Sequence, residues 1–244
     1  MYTKLSTVDL SIIIPAHNEA NRIIKCLHDA NCFLQYRPYR SEIIVVENGS
    51  SDHTADLVKD YQEALEVDPN PQIKLISQAV GDKGQAVAAG MLAAQGWLRY
   101  MADADFSTPI WIVEDFIYSI KNTRADVVIG YRHDCQGQTL IRQIMSSTFA
   151  AATRMVLGPG IKDTQAGFKM FTARAAEMIF PLLQIYGWAF DVEALYLARQ
   201  MSLEIQQLPI PWERQPDSKV KIMDPLRMLM DLARIKNAQY QAEA

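Results

Sequence analysis

Two aspartates one residue apart, Asp103 and Asp105, follow a short apolar run in the segment LRYMADADFSTP. Carboxylates at that spacing on one loop offer hard oxygen ligands to a divalent cation, and Mg2+ or Mn2+ commonly shares one or two such ligands with the phosphates of a substrate. The chemistry would be a metal-assisted clamp on a diphosphate. The same spacing also begins turns and caps helices, so the pair alone leaves both readings open. Glu47 ends another apolar run, where an acid must be solvated or bound and can accept hydrogen bonds from a ribose or a base. Lys83 and Gly84 open a helical stretch, and an ammonium beside helix N-terminal amides suits a phosphate or base contact. Ser50 to Thr54 reads as a helix N-cap region, in which Ser or Asp oxygens satisfy free backbone N–H groups.

Other chemistries find less support. The four histidines, His17, His28, His53 and His133, have no metal-ligand spacing, and no Ser/His/Asp nucleophile arrangement can be read. Cys26, Cys32 and Cys135 are odd in number and lack a C-x-x-C pair, which argues against a disulfide framework or a zinc site.

The elements that must position these residues follow from hydrophobic patterning. β-branched runs at Leu10 to Ile14, Glu42 to Val46, Ile73 to Ser77, Trp97 to Met101 and Val127 to Gly130 alternate with amphipathic stretches at about Glu19 to Phe33, Ser51 to Leu65, Gly84 to Gln95 and Ile110 to Ile120. That alternation predicts an α/β fold with a mostly parallel, Rossmann-like sheet flanked by helices. Such sheets bind ligands beyond the carboxyl ends of their strands. The polar segments Pro15 to Glu19, Glu47 to Asp52 and Asp103 to Asp105 all fall just after strands, so they should line one edge. The second half is less regular. A helix is expected from about Ile141 to Val156, flanked by polar segments at Asp134 to Thr139 and Pro211 to Lys221 that read as loops able to act as lids.

The chain of 244 residues is 49% hydrophobic, which supplies one large core, and its net charge of −4 provides no basic surface for nucleic acid. No segment has the run of about 18 apolar residues that crossing a bilayer requires, so the expected location is the cytoplasm. A C-terminal amphipathic helix from Pro225 to Lys236 is expected, with Leu226, Leu229, Met230 and Ala233 on one face and Arg227, Arg234 and Lys236 near its ends. That stripe either packs on the core or touches the cytoplasmic face of a membrane.

Taken in order, P-x-x-N-E, V-V-E-N-G-S-S-D-x-T, K-G-x-A and D-A-D-x-S-T-P resemble the family 2 inverting glycosyltransferases of GT-A fold. Gly130-Tyr131-Arg132, Arg142, the run Asp163 to Lys169 (DTQAGFK), Phe190 to Glu193 (FDVE), Trp212 and Ser218-Lys219 extend the likeness from about Asp9 to Tyr240. This second set resembles the dolichyl-phosphate glucosyltransferases and their bacterial polyprenyl-phosphate relatives. The resemblance implies one GT-A type domain, with a nucleotide-sugar half over about 9–130 and an acceptor half over about 131–240. It implies a nucleotide diphosphate sugar, UDP-glucose, as donor, polyprenyl or dolichyl phosphate as acceptor, and Mg2+ or Mn2+ as cofactor.

By resemblance, Pro15, Ala16, Asn18, Glu19, Glu47, Lys83, Asp103 and Ala104 hold the nucleotide, and Asp103 with Asp105 brackets the diphosphate and the metal. Arg132, Arg142, Ser218 and Lys219 serve the acceptor. Asp191 is the acid on the acceptor side, acting as a base or an orienting group; its alternative is to cap the helix from Val192 to Arg199. Three positions depart from the pattern: Glu47-Asn48 stands for Asp-Asp, Asp82 for Gly before Lys-Gly, and Asp217 for Gly before Ser-Lys. Two alternatives stay open: a cytosolic transferase acting on a soluble hydroxyl, and an inactive nucleotide-binding module.

Overall fold

The structure is a computed structural model and describes residues 8–65, 70–79, 82–132, 140–213, 224–238 and 240; the side chains of 140–147 and 224–226 are not among those described. Seven strands form one sheet: β1 (Leu10–Ala16), β2 (Ser41–Asn48), β3 (Gln72–Gln78), β4 (Leu98–Met101), β5 (Val127–Arg132), β6 (Lys169–Thr172) and β7 (Ile205–Ile210). Their order is β3-β2-β1-β4-β6-β5-β7. All pairings are parallel except those of β6, which runs antiparallel to both β4 and β5.

Helices α1 (Ile23–Leu34), α2 (Thr54–Glu63), α3 (Lys83–Ala93), α4 (Val113–Thr123), α5 (Leu140–Leu157), α6 (Ala173–Ile179), α7 (Phe190–Gln200) and α8 (Asp224–Asn237) cover the sheet. The inner strands are buried on both faces, which is why they read as continuous apolar runs rather than alternating ones. On β1 and β2, Ile13, Ile44 and Val46 pack with Ala86, Val87 and Met91 of α3, in a core that extends to α7 and α8. Their neighbours Ile12, Ile14, Ile43 and Val45 face Leu27 of α1 and Phe116 of α4. β1 lies between β2 and β4, so the chain order reverses there, and the loops at its carboxyl end open a crevice.

The five strands expected from the sequence all form, within a residue or two of their expected bounds. α1 begins at Ile23 instead of Glu19, because Asn18 has a positive φ of 53° and the chain turns before the helix. The helix expected from Ile110 starts as a single 3-10 turn, Ile110–Ile112, and becomes α4 at Val113. The stripe expected on α8 is displaced. Met228, Leu232 and Ile235 are the buried residues, Met230 and Ala233 are exposed, and Leu229 packs only at the margin of the core. The side chain of Leu226 lies outside the described residues. The displacement has a cause in Asp231, which is buried on the core side with Arg234 Nη1 2.9 Å from its Oδ1. No helix among the described residues is long and apolar enough to cross a membrane.

Candidate active site

The loops after β1 and β2 are joined by reciprocal hydrogen bonds. Asn18 Oδ1 accepts from Ser51 N at 2.8 Å, while Asn18 N donates to Ser50 Oγ at 3.0 Å. Glu19 N donates to Thr54 Oγ1 at 2.9 Å, and Ala20 N to Asp52 Oδ2 at 3.1 Å. Asp52 also accepts from Thr54 N at 3.0 Å, so the Ser50 to Thr54 segment supports the first residue of α2 and the neighbouring loop together. The capping expected of this segment is met only in that form, for the cap position itself is His53, whose side chain makes no capping hydrogen bond. Pro15 and Ala16 end β1 at this crevice. Glu47 is buried and one of its oxygens accepts from Ser50 N, which turns the acid onto its own loop.

Asp103 and Asp105 follow β4 directly. Ala102 N still bonds Ile13 O at 3.0 Å, after which the chain turns through Phe106, whose N donates to Asp103 O at 3.1 Å and whose φ is 40°. Asp105 Oδ1 accepts from Ser107 N at 2.9 Å. Arg22 Nη1 stands 3.9 Å from Asp105 Oδ2, and Ala104 between the acids is buried in the core. Lys83, at the start of α3, donates to Asp103 Oδ1 at 2.6 Å. Burial alone would lower the Lys83 ammonium pKa, but Asp103, Asp191 and Asp105 outweigh it and hold the pKa above its ordinary value. The other face of Asp103 meets Gly167, where an added Cβ would fall 2.0 Å from Oδ2.

Asp191 lies inside the first turn of α7, and the cap position is Ala189, so Asp191 does not cap the helix. It is buried and forms an ion pair with Lys169 at 2.7 Å. Lys169 is fully buried at the start of β6 and also donates to Ala166 O at 2.5 Å. Burial pushes the Asp191 carboxyl pKa up; Lys169 and Lys83 oppose this without cancelling it. Two lysines and three acids therefore meet at the strand ends, bridged by the field of Lys83.

Arg132, at the end of β5, makes a forked pair with Asp163, Nε to Oδ2 at 2.7 Å and Nη2 to Oδ1 at 3.1 Å. Burial favours the neutral Asp163, but the paired Arg132 and a bond from Gln165 N prevail and hold its pKa below the ordinary carboxylate value. Trp212 lies 5.4 Å from the Arg132 guanidinium. The segment carrying Trp212 is tied to the aspartate loop by Glu213 N to Ser107 O at 2.8 Å and Thr108 Oγ1 to Pro211 O at 3.0 Å. A cavity of about 190 Å3 opens beside Arg132, with Phe149, Leu157 and Ile161 as apolar walls and Arg154 and Lys162 at its polar side. Arg142 belongs to α5, with its side chain outside the described residues. Ser218, Lys219, His133, Cys135 and most of the two expected lid segments also lie outside them.

Several residues of this site have no individual role readable from the sequence. Gly167, Lys169 and Asp163 belong to the DTQAGFK run, yet nothing in their spacing announces their contacts with Asp103, Asp191 and Arg132. Asn48 Oδ1 and Gln78 Oε1 are buried without a hydrogen-bond partner among the described residues. These two residues are register partners at the ends of β2 and β3. Buried carbonyl oxygens without donors are costly, and the N–H or O–H groups of a nucleoside would satisfy them.

Among the described residues no three or more His, Cys, Asp or Glu stand together as a cage for a metal. A site sharing its ion with substrate phosphates does not need one. Residues 11–180 match the family described as Glycosyl transferase family 2. The chain belongs to that family. As a family 2 glycosyltransferase it is an enzyme that uses a nucleotide-sugar donor.

The similarity to curated family 2 proteins spans almost the whole chain. Dolichyl-phosphate beta-glucosyltransferase of Dictyostelium discoideum is 35% identical over 95% of this chain and 75% of its own length. The protein of that name from Saccharomyces cerevisiae is 35% identical over 94% and 74%, and that from Homo sapiens 30% identical over 94% and 75%. Among solved structures, glucosyl-3-phosphoglycerate synthase of Mycobacterium tuberculosis superposes with a TM-score of 0.69 at 16% identity, covering 93% of this chain and 79% of that one. The same synthase has been crystallised with Mn2+, UDP-glucose and phosphoglyceric acid, and that complex gives a TM-score of 0.64 at 16% identity over 94% and 78% of the two chains. At this identity the likeness is one of fold, and it is the GT-A fold expected from the sequence.

Proposed function

We propose that this glycosyltransferase moves glucose from UDP-glucose to dolichyl phosphate, or a related polyprenyl phosphate, with inversion at the anomeric carbon and with Mg2+ or Mn2+ bound. The observation that supports this reading most is the likeness, over 94–95% of this chain, to dolichyl-phosphate beta-glucosyltransferases at 30–35% identity. In this reading residues 9–130 hold the donor and 131–240 receive the acceptor.

The donor set fits a hard divalent ion. Among the described residues, the second oxygen of Asp105 meets only a long ion pair of 3.9 Å to Arg22. Asp103 is held on one side by Lys83 and on the other by Gly167, which suits it to orient rather than to move. A bound ion supplies charge compensation for the departing nucleoside diphosphate. Lys83 adds a fixed positive charge at the same edge, prepared before substrate arrives. Pro15, Ala16, Asn18, Glu19 and Glu47 form the rim for the nucleoside, with the orphan oxygens of Asn48 and Gln78 ready to accept from it.

On the acceptor side, Arg132 offers a planar guanidinium already oriented by Asp163 and Trp212, a geometry suited to a phosphate. Arg142, Ser218 and Lys219 complete this set in the proposal. A phosphate monoester has a second pKa of about 6 and is already largely ionised at neutral pH, so its oxygen attacks without help from a base. The bond from that oxygen to the anomeric carbon forms as the bond to the nucleoside diphosphate breaks. Asp191, paired with Lys169 and buried, then acts as an orienting group. The protein works at the cytoplasmic face of a membrane, in peripheral contact with it.

The test is an assay across a panel of nucleotide sugars, with dolichyl phosphate in detergent, with phosphoglycerate, and with no acceptor. Glucose transfer to dolichyl phosphate from UDP-glucose, dependent on Mg2+ or Mn2+, is expected. Transfer confined to the soluble acceptor would overturn the lipid assignment, and hydrolysis or transfer with another nucleotide sugar alone would overturn the donor.

A further inference from the structure

Glu193 is fully buried two residues after Asp191, and none of its described hydrogen bonds comes from a charged side chain. Its carboxylate accepts from Gln184 N at 3.0 and 3.1 Å, from Ile185 N at 2.8 Å, and from Tyr240 Oη at 2.8 Å. All three donors are neutral. Acids are almost never buried without strong compensation, since desolvating a carboxylate costs several kcal/mol. Satisfying two loop amides requires no more than a carbonyl or a water. A carboxylate in that place accepts stronger hydrogen bonds than a neutral acceptor and so holds its donors more firmly.

What Glu193 fixes is the segment 184–190, and this segment is the roof of the first turn of α3. Tyr186 O accepts from Gly84 N at 2.8 Å. Phe190 is so close that a Cβ on Gly84 would stand 2.6 Å from its Cβ. The Trp188 ring lies 5.6 Å from Lys83 Nζ, and Lys83 in turn holds Asp103 at 2.6 Å. The chain of contacts therefore runs from Tyr240, beyond α8, through Glu193 and the 184–190 segment to Lys83 and the aspartate loop. Tyr240 is braced by Tyr196 of α7, with ring centroids 6.0 Å apart.

We propose that Glu193 is a positioning residue for the donor site, and that Tyr240 makes the C-terminal tail part of the support that holds Lys83 on Asp103. The inference rests on the reading of Lys83 and Asp103 as donor-binding groups, and it adds two residues that touch neither substrate nor metal. Loosening this support withdraws Lys83 from its preset place while leaving the Arg132 to Asp163 pair as it is.

Tyr240→Phe removes one donor and nothing else, and Glu193→Gln keeps the shape while turning one acceptor into an amide. The full-length variants are compared with wild type by thermal unfolding, by calorimetry of UDP with Mn2+, by separate KM values for donor and acceptor, and by hydrogen exchange of the amides at 84 and 184–190. For Tyr240→Phe a loss in UDP affinity of about three- to tenfold is expected, the weight of a hydrogen bond to a charged group transmitted in part. The donor KM should rise, the acceptor KM should hold, and the named amides should exchange faster. The double variant should be no weaker than Glu193→Gln alone, because both act through one contact chain. Unchanged exchange at these amides in Tyr240→Phe, or donor and acceptor KM rising together, would overturn the proposal. Wild-type protein that fails to bind UDP would instead overturn the donor assignment, and the exchange measurement would still decide whether Tyr240 and Glu193 hold the segment.

Discussion

Gly167 stands against the carboxylate of Asp103 so closely that a single methyl group added to it would lie 2.0 Å from Oδ2 and 2.5 Å from Cγ. A group placed there overlaps the carboxylate in the position where it bonds Lys83. Gly167→Ala should therefore displace the acid, at an overpacking cost of about 1–3 kcal/mol. Calorimetry with UDP and Mn2+ should show affinity falling by about ten- to hundredfold. Wild-type affinity in this variant would mean that Asp103 has no part in holding the donor.

Metal removal addresses the other acid. With Asp105 as the accessible ligand, UDP affinity should collapse in chelator and recover with Mn2+, and Asp105→Ala should not recover. Affinity undiminished in both conditions would remove the ion from the proposed site.

In the proposed reaction Arg132 serves the acceptor. Arg132→Ala should raise the acceptor KM by about tenfold or more, as expected for a lost charge-assisted contact, while UDP affinity stays within a factor of about two. Asp163→Asn should move the acceptor KM in the same direction by a smaller factor, since the guanidinium remains but is no longer forked. A fall in UDP affinity as large as the fall in transfer would contradict the division.

The Arg132 to Asp163 pair also leaves a mark on stability against pH. The pKa of Asp163 is lower in the folded protein than in the unfolded chain, so the unfolded state takes up the proton first as the pH falls. Its contribution is complete above the ordinary aspartate pKa of about 3.9 and is lost as the pH drops through the folded value. The difference in unfolding free energy between wild type and Asp163→Asn should thus be constant from neutral pH to about pH 5 and shrink below about pH 4. A difference that grew on acidification would reverse the sign argued here.

Lys169 and Asp191 form a buried pair in which neither partner tolerates being left alone. Lys169→Met or Asp191→Asn should cost about 3–5 kcal/mol in urea unfolding, and the double variant less than the sum of the two. Additive losses would show that the 2.7 Å contact does not couple them.

The strand-end edge is legible in the sequence because its causes are local. A parallel strand buried on both faces is written as an unbroken apolar run, and the residue that ends it faces the crevice, so Pro15, Glu47 and Asp103 could be placed by counting. β6 has only four residues, and it lies in a run otherwise rich in turn-forming types. Its antiparallel course, and hence the meeting of Lys169 with Asp191, depends on pairing with β4 and β5, which no local pattern encodes. The stripe on α8 was misplaced for a related reason. An aspartate in the stripe carries no apolar signal, whereas Asp231, paired with Arg234, is buried and the buried side runs through Met228, Leu232 and Ile235.

The course of β6 also bears on how the protein is made. Lys169 pairs with Met101 on one side and Ile129 on the other, so this short strand joins β1–β4 to β5 and β7. A chain emerging from the ribosome can pair β1, β2, β3 and β4 first, since all four are synthesised before β5 and β6. β5, although already synthesised, has no place in that sheet until Thr172 has cleared the exit tunnel. Until then the aspartate loop lacks the wall that Gly167 gives it. A nascent chain should remain unable to hold a nucleotide sugar until the strand that completes its sheet has arrived.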